Sequence, residues 1–263
     1  MKKIALVTGA SSGIGKQFVF ELDSLGLDEI WGVALNTPQV KEMQKSLKTK
    51  FKFFDLDLTK EESFKTLEES LSKSKVSVEW LINASGYGKF GRYDEIDISQ
   101  QLGMIDLNCK ALTHLTLLTI PFMCEGGRIV QISSIAAFQP IPYIAVYGAS
   151  KAYVLSYSRA LNRELKNRKI SVTAVCPFWT KTAFFDRATK TNSSTQVVTK
   201  YVAMYDAEKV VKRAIRGALK RKEVVLYGFK SKAQVMLVKS IPHSWVMSIW
   251  ERQQNMRKKY KNK

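Results

Sequence analysis

Histidine, cysteine and proline are scarce in this chain, with 2, 3 and 6 copies respectively. His114 and His243 have no ligand partners near them in sequence, so no metal site is expected. Cys109, Cys124 and Cys176 are an odd number, lack metal-ligand spacing and each lie in an apolar segment. Buried free thiols in a reducing, cytoplasmic compartment are therefore expected. Few prolines, 14 glycines, 45% hydrophobic and 25% charged residues exclude fibrous and disordered classes. Long apolar runs are also missing. The nearest to the roughly eighteen residues a membrane-spanning helix needs is 233–250, interrupted by Lys239, Pro242 and His243. Met1-Lys2-Lys3 is a basic start, but Thr8-Gly9 cuts off the run Ile4–Val7 before a signal-peptide core forms. That run reads as a first strand.

Acidic residues are short as well, 23 against 42 Lys and Arg, for a formal charge of +19. The imbalance is concentrated at one end: 209–263 holds sixteen Lys/Arg against Glu223 and Glu251. A solvated face is the simplest reading. Trp245, Val246, Met247, Ile249 and Trp250 lie beside those cations, so peripheral contact with anionic lipid through an interfacial helix is the alternative. No recognition motif accompanies the charge, and nucleic acid is not expected as a partner.

The 263 residues are enough for one domain with a sizeable core. Short Val/Ile-rich runs alternate with longer amphipathic stretches, the pattern of strand-helix units around a parallel sheet. Strands are predicted near 3–8, 29–34, 51–56, 78–83, 127–132, 170–175 and 223–227. Helices are predicted near 13–25, 38–48, 60–73, 99–120, 146–167 and 206–220. Continuously apolar strands such as Ile4–Val7 and Ile170–Val175 fit burial on both faces. The fold class expected is α/β, a doubly wound parallel seven-stranded sheet with helices on both faces. It occupies 1–228, and a basic amphipathic extension, 229–263, packs on or extends from it. The polar segment Thr180–Thr199 is long enough to be a functional loop or lid.

The first strand runs into Thr8-Gly9-Ala10-Ser11-Ser12-Gly13-Ile14-Gly15, and a helix follows. Glycines at this spacing allow a tight turn, close approach of backbone to a pyrophosphate and close packing of helix on strand. The helix N-terminus then presents free N–H groups and its positive dipole end to the phosphates. Tyr147 and Lys151, at i and i+4, share one helix face. A phenol of ordinary pKa about 10 is a poor acid or base at neutral pH, and an adjacent ammonium would stabilise its phenolate. Ser134, at a strand's C-terminal end, could hydrogen-bond and polarise a substrate oxygen.

These motifs together resemble the short-chain dehydrogenase/reductase family over about residues 3–227. The matches run in the family's order. They are the turn with Gly13-Ile14-Gly15, Asp57-Leu58, Asn83-Ala84-Ser85-Gly86, Asn108, Ile132-Ser133-Ser134 and Tyr147-Gly148-Ala149-Ser150-Lys151. The resemblance implies a Rossmann-type, NAD(P)-dependent oxidoreductase that interconverts a ketone and a secondary alcohol, with Asn108, Ser134, Tyr147 and Lys151 as the catalytic set. Tyr147 follows Ser134 at the family's usual interval, which selects Ser134 over Ser133. It also implies that Lys151 holds the ribose hydroxyls, that Asn108 continues a proton relay through water, and that hydride leaves the pro-S face. Gly9, Ser11, Ser12, Gly13, Ile14, Gly15, Asp57, Leu58, Asn83, Ala84, Tyr147, Lys151, Pro177, Thr180 and Thr182 are the cofactor-binding residues so implied, together with Asn36. A homo-oligomer, dimer or tetramer, is the family's common state.

Two departures from the family pattern bear on specificity. The second strand ends in Ala34-Leu35-Asn36-Thr37, without the acid that would bind a ribose 2′-hydroxyl or the Arg that would bind a 2′-phosphate. With no acid to repel the phosphate and Asn36 or Thr37 able to donate to it, NADP(H) is favoured over NAD(H). Phe178 stands where the family has a glycine after the sixth strand. Aromatic segments 87–90, 138–143, 178–179 and 184–185 should surround the reacting centre, suiting a bulky apolar, steroid-like or lipid-like substrate. The alternatives are a non-catalytic cofactor-binding scaffold or sensor, and a membrane-surface protein working through its basic tail.

Overall fold

The computed structural model describes residues 1–35, 37–190, 197–201 and 203–259. The strands are β1 (Lys2–Thr8), β2 (Glu29–Ala34), β3 (Lys50–Asp55), β4 (Val76–Asn83), β5 (Met123–Ile132), β6 (Ser171–Cys176), β7 (Thr180–Lys181), β8 (Tyr205–Asp206) and β9 (Val224–Leu226). Seven form one all-parallel sheet in the order β3-β2-β1-β4-β5-β6-β9, and β7 and β8 make a separate two-residue ladder. The helices are α1 (Gly13–Leu22), α2 (Pro38–Ser46), α3 (Glu61–Lys73), α4 (Ile98–Ile105), α5 (Leu112–Thr119), α6 (Ala145–Glu164), α7 (Phe184–Thr189), α8 (Ala207–Leu219), α9 (Phe229–Ser240), α10 (His243–Gln253) and α11 (Met256–Lys259).

Alternation along β1 explains the two layers. Ala5 and Val7 pack against Phe18, Val19 and Leu22 of α1 and Val211 and Ala214 of α8. Ile4 and Leu6 face the opposite way, towards Phe64, Leu67 and Leu71 of α3, Leu115 of α5 and Leu161 of α6. The strands are buried on both sides, as their apolar sequences require. The strand order reverses between β1 and β4, where open α/β sheets open a crevice at the strands' carboxyl ends. At the other end of the sheet, buried Glu29 accepts from Lys2 at 2.8 Å, Trp31 at 2.9 Å and Lys50 at 3.0 Å. Burial pushes its carboxyl up, but those donors outweigh it and hold the pKa at about 2. They pin three neighbouring strands together.

Several boundaries differ from the sequence expectation. The helix predicted over 99–120 breaks into α4, a π-helical segment Asp106–Ala111, and α5. The segment 180–199 contains β7 and α7, with 191–196 outside the described residues. Beyond Gly228 the chain forms α9 and α10, which pack on the body of the protein. Trp250 donates its indole N–H to Pro142 O at 3.1 Å, and Gln254 bonds to the backbone of Thr199 and Lys200.

Candidate active site

One cavity of about 1090 Å³ lies at the carboxyl ends of β1, β2, β4, β5 and β6. Its floor is the turn between β1 and α1. Gly9 and Gly13 have φ of +65° and +55°, conformations that side chains rarely adopt, and a Cβ on Gly15 would stand 2.3 Å from Gly9 O. The turn can therefore fold back tightly under the first turn of α1. Thr8 fixes the neighbouring loop, its hydroxyl oxygen accepting from the backbone N–H groups of Ala84 and Ser85, both at 3.0 Å.

Most residues singled out from the sequence meet here. Gly9, Ser11, Ser12, Gly13, Ile14, Asp57, Leu58, Ala84, Ser134, Tyr147, Lys151, Pro177, Thr180 and Thr182 all line the cavity. Gly15 does not, because its place is the packing of helix on strand. Asn83 also lies outside the lining: it is buried and donates to Thr116 Oγ1 at 3.0 Å, tying β4 to α5. Asn36 lies outside the described residues. Of the aromatic segments, Tyr87, Phe90, Phe178, Trp179, Phe184 and Phe185 line the cavity, whereas Phe138 and Tyr143 do not. Phe178 is buried with its ring edge-on to Trp179 and Tyr205.

Asn108 sits one layer below the wall. Fully buried in the π-helical segment, it donates to Tyr87 O at 2.9 Å and Ser150 Oγ at 3.0 Å, and accepts from Tyr87 N at 3.1 Å. A Cβ on Gly86 would meet Asn108 Oδ1 at 2.7 Å and Lys151 Nζ at 3.5 Å, so only glycine lets this amide and amine lie so close beneath the loop. Ser150 in turn donates to Tyr147 O at 2.7 Å. The Thr8 and Ser150 contacts depend on tertiary placement and carry no local signal in the sequence.

Tyr147 and Lys151 emerge from the first two turns of α6. The Lys151 amine lies 5.7 Å from the Tyr147 ring centroid and donates to Ile132 O at 2.9 Å. Ser133 donates to Lys151 O at 2.7 Å, so it holds the helix, while Ser134 borders the cavity and caps a short 3-10 turn. Burial pushes the Tyr147 phenol up to about 12, with the Ser134 hydroxyl pulling it down and Cys176 adding to the rise. Burial lowers Lys151 to about 8, partly offset by Cys109 and Cys176. The expectation of a phenol depressed by its neighbouring ammonium is therefore not met in the protein alone. Desolvation is the larger effect.

The cavity suits a dinucleotide. Ser12, the N-cap of α1, makes no side-chain cap bond, leaving that helix end open to an anion. Thr37, the N-cap of α2 just after β2, lines the same cavity, and its buried Oγ1 has no hydrogen-bond partner among the described residues. The opposite wall was not anticipated: α9 contributes Lys230, Ala233, Gln234, Leu237 and Val238, Ile241 follows at its C-cap, and α10 contributes Val246, Ile249, Trp250 and Gln253. Both sets follow helical spacing, a signal present in the sequence but obscured by the lysines around it.

The family model described as short chain dehydrogenase matches residues 3–193. A very-long-chain 3-oxoacyl-CoA reductase of Bos taurus is 29% identical over 188 residues, spanning 68% of this chain and 59% of the relative. A short-chain dehydrogenase from Sphingobium yanoikuyae, solved with NADPH, superposes with a TM-score of 0.74 at 25% identity, covering 92% of this chain and 97% of that one. A bulky-bulky ketone specific alcohol dehydrogenase from Comamonas testosteroni gives 0.70 at 25% identity, over 92% and 95% of the two chains. Family match, parallel sheet and cavity agree: this chain belongs to the short-chain dehydrogenase/reductase family, whose members are NAD(P)-dependent oxidoreductases acting on CH–OH groups.

Proposed function

We propose that the protein interconverts a bulky apolar ketone and its secondary alcohol with NADP(H), using Tyr147 as the general acid or base. The observation that carries this reading is the meeting of Ser134, Tyr147 and Lys151 in one cavity with the open glycine turn. When bound, the cofactor supplies or accepts the hydride. Gly9, Ser11, Ser12, Gly13 and Ile14 would hold its pyrophosphate, and Asp57, Leu58 and Ala84 its adenosine end. Lys151 would hold the ribose, and Pro177, Thr180 and Thr182 the nicotinamide end. The lack of an acid at Ala34 and Leu35, with the unpartnered Thr37 hydroxyl beside them, favours the 2′-phosphate form. Ser134 holds the substrate oxygen and polarises it. A phenol held at about 12 is fully protonated at neutral pH, so Tyr147 can give its proton to that oxygen as negative charge develops there. The nearby Lys151 amine stabilises the phenolate left behind, and Asn108 keeps loop 86–87 in place above it.

The apolar substrate follows from Phe90, Trp179, Phe184, Leu237 and Ile249 on the walls. Similarity to the bovine reductase and the Comamonas dehydrogenase points the same way. A ketone panel assayed for NADPH and NADH oxidation tests the proposal. Tyr147→Phe is expected to lose about a hundredfold or more in kcat, the usual worth of a positioned acid or base. Turnover that survives within about threefold ends the assignment.

A second reading concerns where the enzyme works. Phe229, Met236 and Trp245 point outward at 84%, 71% and 65% exposure, interleaved with Lys232 and Lys239. Aromatic and aliphatic side chains among cations suit an anionic lipid surface. Co-sedimentation with phosphatidylserine vesicles should be lost in a Phe229→Ser, Trp245→Ser double variant. Equal binding by both proteins removes this reading.

A further inference from the structure

The substrate side of the cavity is lined by cations. Lys89, Arg187, Lys190, Lys200 and Lys230 border it beyond Lys151, whereas the lining carboxylate among the described residues, Asp57, lies at the adenosine end and accepts from Thr59. Other cations of the surface do find acids: Lys181 and Lys209 pair with Asp206, and Lys212 pairs with Glu21 and Glu208. Arg187, Lys190 and Lys200 make no ion pair among the described residues. Asp186, next to Arg187 on α7, neither pairs with it nor lines the cavity.

These cations are held in place by backbone and packing. Phe184, one turn before Arg187 on α7, packs against Tyr147 with ring centroids 5.5 Å apart, and Arg187 lies on the same helix and in the same cavity lining. Lys89 donates to Lys190 O at 2.5 Å, drawing two like-charged residues to the same edge. Lys200 is fixed on the facing side, its N–H donating to Gln254 Oε1 at 3.2 Å and its carbonyl accepting from Gln254 Nε2 at 3.0 Å. Like charges gathered at the mouth of an apolar cavity repel one another until an anion joins them. The cofactor's phosphates belong at the glycine turn on the other side.

We propose that the substrate is an amphiphile whose apolar chain fills the aromatic cavity and whose anionic head, a phosphate or a carboxylate, rests at the rim against Arg187, Lys190 and Lys200. This rests on the ketone reductase reading above. The walls set how apolar the substrate is, and the rim sets its charge.

Two matched pairs of keto substrates test it: a long-chain 3-oxoacyl CoA thioester against its uncharged N-acetylcysteamine thioester, and a long-chain keto acid against its methyl ester. In at least one pair the anionic member should have about tenfold higher kcat/KM, the scale of three exposed ion pairs acting together. The pair that responds identifies the head as phosphate-bearing or carboxylate. That preference should shrink as salt is raised, and in the triple variant Arg187→Gln, Lys190→Gln, Lys200→Gln the ratio should approach one. Uncharged members that match their anionic partners, or a triple variant that keeps the ratio, overturn the proposal. If no ketone is turned over at all, the reductase reading fails separately. The rim is then decided by titrating the NADP-loaded protein with the same pairs and following the fluorescence of Trp179 and Trp250, both in the cavity wall. Tighter binding of an anionic member supports the rim site, and equal binding of both pairs rejects it.

Discussion

Lys151 is a charged group buried with no carboxylate beside it. Its partners are the carbonyl of Ile132 and two thiols, and burial lowers its pKa from 10.5 to about 8. Folding therefore releases a proton from this amine between about pH 8 and 10.5, and stability rises with pH across that window. Below it the full desolvation penalty is present, of order 3 kcal/mol from the size of the shift. Lys151→Met removes that penalty and forfeits one hydrogen bond worth about 1 kcal/mol. The cofactor-free variant is expected to be more stable than the wild type at pH 7 by roughly 1–2 kcal/mol, visible as a Tm several degrees higher. The advantage should fade towards pH 10.5, and activity should be lost. A lower Tm at pH 7 would mean that the amine stabilises the fold instead. A residue kept at a cost to stability is a sign of function.

Among the elements, legibility followed range. The glycine turn, the seven sheet strands and the first turns of α6 were readable because their signals are local: positive-φ positions, apolar runs and an i, i+4 pair. Co-location of Ser134, Tyr147 and Lys151 with the turn follows from the sheet, since each stands at the end of a strand or the start of the helix after it. The π-helical segment 106–111 was not readable, because it coincides with the bonds of Asn108 to Tyr87 and Ser150, residues 21 and 42 positions away. The bond that takes up the Asn83 side chain was unreadable for a similar reason. The motif position of Asn83 suggested the cofactor, while its amide is taken by Thr116, 33 residues on. The largest gap was α9. The stripe 230, 233, 234, 237, 238, 241 that faces the cavity includes Lys230 and Gln234, so its periodicity reads as a solvated basic tail until the cavity it faces is known. α10 followed it into the wall by the anchoring of Trp250 on Pro142.

At the scale of the whole molecule, an exposed apolar patch lies on the side of α4, α5 and α6. Ile98, Leu102 and Ile105 recur at i, i+4 and i+7 along α4 with exposures of 75%, 55% and 46%. Leu117 on α5 and Tyr153 on α6 are also exposed, and the hydroxyls of Thr113 and Tyr153 meet at 2.8 Å, placing those two helices side by side. An apolar stripe on adjacent helices marks an interaction surface more often than bare surface. A two-fold axis across it would pair the stripe with itself, the commonest way for identical chains to associate. The patch is also the side for a strongly cationic chain to pair through: with a formal charge of +19, two copies repel, and contact is most favourable where few cations lie. The substrate rim and the C-terminal helices carry many, whereas α4 carries none. We therefore propose a homodimer or a higher oligomer built on this face. Sedimentation velocity should give at least twice the monomer mass of 29.8 kDa for the wild type and the monomer mass for Leu102→Asp, Ile105→Asp. Raising the salt should strengthen the wild-type association by screening the repulsion between copies. A double variant that stays assembled moves the interface elsewhere, and a wild type that sediments as a monomer at all salt concentrations leaves the stripe without this role.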